Sequence, residues 1–235
     1  MKVNNTKYFS IFRFIFNKKE TQQTMEYKQF VFNPIQENTY VVYDETREAV
    51  IIDAGNFNER ENAALTDFIS GKSLIVKAVL CTHCHWDHIF GLEWVAQQYK
   101  PEIYCHAEDL PWIENFSHIC MSYGFGERKA PYPTNFIADS QTIKFGNTVL
   151  TVLHTPGHSA GGVCFYCEAD NVLFSGDTLF FSSIGRADLP GGSEPQLISS
   201  IRDKLLALPD STAALPGHGL QTSIGFERIN NPYLQ

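Results

Sequence analysis

A chain of 235 residues with 43% hydrophobic content is long enough to bury a full core as one domain. Its net charge of −8 argues against a nucleic-acid partner, because phosphate-binding proteins are usually basic. No run approaches the ~20 apolar residues that span a bilayer, so no stable membrane association is expected.

Residues 1–24 stand apart. They carry five basic residues (Lys2, Lys7, Arg13, Lys18, Lys19) and a single acid, Glu20. The apolar run Tyr8 to Phe16 is interrupted by Arg13 and lacks a small-x-small cleavage site, which makes it a poor signal peptide. A helix lying on a membrane surface is one reading. The favoured reading is an N-terminal extension, disordered or produced by a mis-assigned start, with one domain over 25–235 and a cytoplasmic location.

From there, strands and helices alternate. Lys28 to Phe32, Thr39 to Tyr43 and Ala49 to Asp53 read as strands rich in Val, Ile and aromatics, with a turn over Asp44 to Arg47. Asn58 to Ser70 places Ala64, Leu65, Phe68 and Ile69 at helical spacing, and Gly71 suits its end. Leu74 to Leu80 is a buried strand. Phe90 to Tyr99 is a helix stopped by Pro101. Ile103 to His106 is a short strand, followed by a helix over Ala107 to Glu114. Phe116 to Pro133 lacks periodicity and is expected to be a long loop. Thr148 to Leu153, Val163 to Glu168 and Val172 to Ser175 return to strand character. Glu194 to Leu206 is the last clear helix, and Ala213 to Leu215 a final strand. Strands interleaved with helices indicate an α/β layered domain.

The chemistry concentrates at Thr82-His83-Cys84-His85-Trp86-Asp87-His88. Imidazole and carboxylate are preferred ligands of borderline divalent metals such as zinc. In extended chain, His83, His85 and Asp87 project from one side. His88 joins them only if the chain turns into the helix that starts near Ile89. Three later segments each carry one ligand-type residue at a Gly-containing turn after a hydrophobic run. They are Thr155-Pro156-Gly157-His158, Ser175-Gly176-Asp177-Thr178 and Leu215-Pro216-Gly217-His218-Gly219. Together these supply five histidines and two aspartates.

This pattern resembles the metallo-β-lactamase superfamily, and within it the short hydroxyacylglutathione hydrolase (glyoxalase II-like) branch. The likeness runs from about Met25 to the C-terminus, with H-x-H-x-D-H intact at His83, His85, Asp87 and His88. The resemblance implies a four-layer αββα sandwich with metals at one edge between two sheets. It implies that His83, His85 and His158 bind one ion, that Asp87, His88 and His218 bind another, and that Asp177 bridges them. The ions would be divalent, zinc first, with iron or manganese as options. The implied reaction is attack of a metal-bridging hydroxide on a hydroxyacyl thioester, with Asp87 orienting the hydroxide. Asp53 matches a family position behind the ligands; a strand-end turn is its plainer role.

The chain ends 17 residues after His218, without room for the helical C-terminal domain of glyoxalase II proper. The segment Ser183 to Gly192 resembles a loop of the short subgroup. There Arg186 could grip a substrate carboxylate, or pair internally with Asp188. Arg128 and Lys129 are weaker candidates for the same task. The rival within the fold is a persulfide dioxygenase holding one iron at His83, His158 and Asp177. Lactone hydrolysis and an inactive metal-binding interaction module are further alternatives. A β-lactam substrate is not expected without a secretion signal.

Cys81/Cys84 and Cys164/Cys167 form two C-x-x-C pairs, but 79 residues separate them, too many for a zinc ribbon. Buried thiols are expected, with Cys84, between two ligands, the one open to oxidation or a soft metal. His106, His118 and His154 are expected to have structural or surface roles.

Overall fold

The computed structural model describes residues 25–235. The expectation for residues 1–24 lies outside the described residues.

In chain order the strands and α-helices are β1 (Met25–Phe32), β2 (Glu37–Asp44), β3 (Glu48–Ile52), α1 (Glu59–Gly71), β4 (Ile75–Leu80), α2 (Leu92–Tyr99), β5 (Glu102–His106), α3 (Leu110–Glu114), α4 (Phe116–Ser122) and β6 (Asn135–Ile137). There follow β7 (Thr142–Phe145), β8 (Thr148–His154), β9 (Val163–Cys167), β10 (Val172–Gly176), β11 (Leu179–Phe180), β12 (Ser183–Ile184), α5 (Glu194–Ser200), β13 (Ala213–Pro216), β14 (Thr222–Ser223) and α6 (Ile224–Asn230). One six-stranded sheet has the order β1-β2-β3-β4-β5-β6, and a second has β14-β13-β10-β9-β8-β7.

Side-chain alternation along the strands builds the layers. Val42, Val50, Ile52 and Leu80 face Phe165, Phe174 and Leu215 between the two sheets. Their strand neighbours Val41, Ile51 and Val79 face outward, onto Leu65, Ile69, Leu92 and Val95 of α1 and α2. On the far side, Cys164, Tyr166 and Leu173 pack against Leu197, Ile201 and Ile224. Because β2, β3, β4, β9 and β10 are covered on both faces, they read as near-continuous apolar runs. The result is the αββα sandwich.

The expected long loop over Phe116 to Pro133 is corrected in part, because its first seven residues form α4. Phe116 and Cys120, one turn apart, are its buried contacts, and so short a pattern leaves little periodicity to read. The expected helix Glu194 to Leu206 is α-helical only to Ser200 and continues as a π-helical turn over Ile201–Leu205. Five short strands (β6, β7, β11, β12, β14) and the seven-residue α6 lie in stretches given no element above. No helix among the described residues is long and apolar enough to cross a membrane.

The two sheets are tied together at both ends. At one, buried Asp44 accepts hydrogen bonds from Asn147 N (2.7 Å) and from Thr148 N and Oγ1 (both 3.0 Å). At the other, Asn38 N donates to Gly217 O (2.7 Å), and Glu37 pairs with His218 as an antiparallel bridge.

Candidate metal centre

The chain leaves β4 into the ligand cluster. The turn that brings in His88 comes earlier than expected. A 3₁₀ turn over Trp86–His88, closed by His88 N donating to His85 O at 3.0 Å, swings Asp87 and His88 together. His158 follows β8, Asp177 follows β10 and His218 follows β13. Strands β8, β10 and β13 run in one direction, since β9 is antiparallel to β8 and β10 while β10 and β13 are parallel. Their C-terminal ends therefore present all three ligand-type residues along one edge.

The seven residues converge in two groups. His83, His85 and His158 have ring centroids 4.5–4.7 Å apart. Asp87, His88 and His218 form the second group, with Asp87 Oδ2 3.1 Å from His218 Nε2 and 3.7 Å from His88 Nε2. Asp177 lies between them. Its Oδ2 is 3.6 Å from His158 Nε2 and its Oδ1 is 3.5 Å from His88 Nε2.

The hydrogen bonds behind the rings decide where their lone pairs point. Thr82 Oγ1 donates to Asp53 Oδ2 at 2.7 Å, so it is left to accept from His83 Nδ1 at 3.1 Å. His158 Nδ1 donates to Arg186 O at 2.7 Å. The Nε2 atoms of His83 and His158 then face each other as bare lone pairs at 3.2 Å. His88 Nδ1 donates to Asp53 Oδ2 at 2.9 Å, which aims its Nε2 lone pair at Asp177. His85 Nε2, His88 Nε2 and Asp177 Oδ1 are buried and without a hydrogen-bond partner. Lone pairs meeting lone pairs and carboxylates in a buried space repel unless a cation lies between them. The donor set fits divalent metal ions on that ground.

The titration behaviour differs between the two groups. Burial holds His83 well below the ordinary imidazole range and takes His85 down to about 3. At His88 and His218, burial is outweighed by the neighbouring carboxylates, which raise both imidazoles. Those imidazoles in turn hold Asp87 and Asp177 below the usual carboxylate range against burial. One end of the centre rejects protons and the other calls for positive charge.

Asp53 stands behind the ligands. It has a left-handed backbone (φ 54°), which aspartate tolerates better than most residues. Its Oδ1 accepts from Thr82 N at 2.7 Å, so one carboxylate orients two imidazoles, His83 through Thr82 and His88 directly. Two supporting carboxylates were not legible in the sequence. Asp109 accepts from Cys84 N, Ser159 Oγ and Gly161 N, joining the His83–His85 segment to the His158 turn. Glu37 is fully buried, accepts from Thr39 Oγ1 at 2.8 Å and lies 4.0 Å from His88 Nδ1. Burial raises the Glu37 carboxyl well above the usual range. Neither residue sits in a recognisable motif; only folding brings them to the site.

Cys84 does not face the ligands. Its thiol is buried in the outer core with Cys81 and Cys105, and all six cysteines are free. Arg128 is committed elsewhere: its guanidinium lies 3.8 Å from the centre of the Phe57 ring and donates to Phe57 O. Arg186 borders the cleft, but its Nε and one terminal nitrogen each donate to Asp188 at 2.7 Å.

The Metallo-beta-lactamase superfamily profile matches residues 32–218, which include all seven of these positions. The chain belongs to the metallo-β-lactamase superfamily. Hydroxyacylglutathione hydrolase GloC of Haemophilus influenzae is 35% identical over 201 residues, 85% of this chain and 93% of that protein. The crystal structure of the BLEG-1 B3 metallo-beta-lactamase aligns with a TM-score of 0.82 at 36% identity, over 89% of this chain and 100% of that one. TTHA1623, solved in a di-iron-bound form, aligns with a TM-score of 0.78 at 36% identity, over 88% of this chain and 100% of that one. Fold and family place the chain among metal-dependent hydrolases.

Proposed function

We propose that this superfamily member is a dinuclear hydrolase of hydroxyacyl thioesters. The observation that carries the two-ion reading is the pair of three-residue ligand groups sharing Asp177, with ring lone pairs turned inward. His83, His85 and His158 would hold one ion, and Asp87, His88 and His218 the other. When bound, two such ions bring water into the neutral range of ionisation and polarise an acyl carbonyl. Zinc suits these ligands best, and iron or manganese accept the same set; TTHA1623 crystallised with two irons.

The cleft beside the centre has a volume of about 310 Å³ and contains no serine, threonine or cysteine among its lining residues. No side-chain nucleophile competes with water there. Asp87 belongs to the second ligand group and lines the cleft, which supports a role in accepting a hydrogen bond from the attacking water. Departure of a thiolate needs no proton, in keeping with a lining that offers no further acid near the floor. The thioester substrate itself is carried over from the likeness to GloC. A single iron at His83, His158 and Asp177 would leave the buried Nε2 atoms of His85 and His88 unanswered, which favours two ions.

Elemental analysis of the purified protein, paired with hydrolysis of S-lactoylglutathione and a second lactoyl thioester, tests this. The expected result is two ions per chain and turnover that chelation abolishes and metal restores. One ion per chain at saturation, or no thioester turnover by the loaded protein, would reject it.

A further inference from the structure

Beside the candidate ligands the cleft is lined by the apolar side chains of Ile35, Trp86, Phe180 and Leu189. Arg186 is the one cation among its lining residues. One edge of that guanidinium, Nε with one terminal nitrogen, is already on Asp188, at 2.7 Å for each contact. The two side chains are 61% and 68% exposed, so the pair stands at the mouth and not beside the reacting atoms. Hydrogen bonding from Arg186 holds the Asp188 carboxyl down to about 2, so both partners stay charged at any working pH. The net charge of −8 adds a field that repels anions approaching from solvent.

We propose that Asp188 sets the choice of leaving group: by neutralising Arg186 it makes the site favour thioesters of uncharged thiols over those of carboxylate-bearing thiols such as glutathione. This rests on the thioester reading above. In the reaction the water oxygen bonds to the acyl carbon and the carbon–sulfur bond breaks. The sulfur leaves with the bonding pair, and the protons of water end on the acid, the thiol or solvent. Nothing is oxidised or reduced. The acyl half lies at the metal end and the thiol arm runs out along the apolar wall, where a carboxylate would find the charge of Arg186 already answered by Asp188 and a neutral amide arm loses less.

The test compares two lactoyl thioesters on the metal-loaded protein, one of glutathione and one of N-acetylcysteamine, whose thiol arm is uncharged. The wild-type chain is expected to show the higher kcat/KM on the uncharged carrier. Asp188→Ala and Asp188→Asn free Arg186. Each is expected to lower KM for the glutathione thioester about two- to fivefold, the range an exposed ion pair commands, with kcat unmoved. A general structural effect would move kcat and both substrates alike. A wild-type preference for the glutathione thioester, or an unchanged selectivity ratio in both variants, overturns the inference while leaving thioester hydrolysis standing. Failure to hydrolyse either thioester removes the thioester reading and this inference with it.

Discussion

Asp53 Oδ2 lies 2.9 Å from His88 Nδ1 and 2.7 Å from Thr82 Oγ1, so a single oxygen orients ligands in both groups of the centre. Replacing Asp53 with Asn weakens its acceptor strength and lets His88 rotate. The expected outcome is a roughly 10- to 100-fold loss of metal affinity, with the Asp87, His88 and His218 group affected more. Competition with a chromophoric chelator measures it; two unaltered binding steps would show Asp53 to be a mere turn residue.

Asp177 shares its two oxygens between the groups, at 3.6 Å from His158 Nε2 and 3.5 Å from His88 Nε2. Asp177→Ala is expected to abolish binding of two ions and to reduce turnover by roughly 100-fold or more. Metal content determined alongside activity checks this. Full occupancy with normal turnover would refute the bridge.

Gly217 has no such ligand role, yet a Cβ there would lie 2.3 Å from Asp177 Oδ1 and 2.6 Å from His88 Cε1. Gly217→Ala must push one of those side chains off its position. A shift of about 1 Å at a reacting centre costs on the order of 100-fold in rate. The variant is expected to keep its far-ultraviolet circular dichroism while losing that much activity and its second ion.

Asp44 ties the sheets at the opposite end, and its test is independent of metal. Burial opposes its ionisation, but hydrogen bonds from Thr46, Asn147 and Thr148 outweigh burial and hold its carboxyl below the usual range. The unfolded chain, with a carboxyl near ~3.9, therefore takes up the proton first as pH falls. The stabilisation is complete above that value and is lost as pH falls through the folded value. Asp44→Asn is expected to cost about 1–3 kcal/mol at neutral pH and to flatten the stability profile below pH ~4. Denaturant melts of chelated protein across pH measure both.

Much of the candidate centre was visible in the linear chain because its ligand-type residues sit in short turns after apolar strands. His158, Asp177 and His218 each follow such a strand, and the H-x-H-x-D-H run follows another. The supporting carboxylates are different. Glu37 lies in the strand-edge polar run Glu37-Asn38-Thr39, and Asp109 follows Glu108 where a helix was expected. Their importance arises from contacts such as Asp109 to Gly161, 52 positions away, which no local pattern encodes. The same holds for the fold. Long doubly covered strands announce themselves through apolar content, whereas β11, β12 and β14 are two residues each and exist only through their partners. Arg186 is the opposite case: its pairing with Asp188, only two positions on, was one of the readings the sequence offered, and the structure makes it at 2.7 Å.

The first sheet is drawn entirely from Met25–Ile137 and the second entirely from Thr142–Ser223. Each ligand triad takes two members from the earlier half and one from the later: His83 and His85 with His158, Asp87 and His88 with His218. Neither half alone completes either of these two triads. A cation seated here would act as a rivet between the halves, so metal retention would double as a gauge of whether the two have docked.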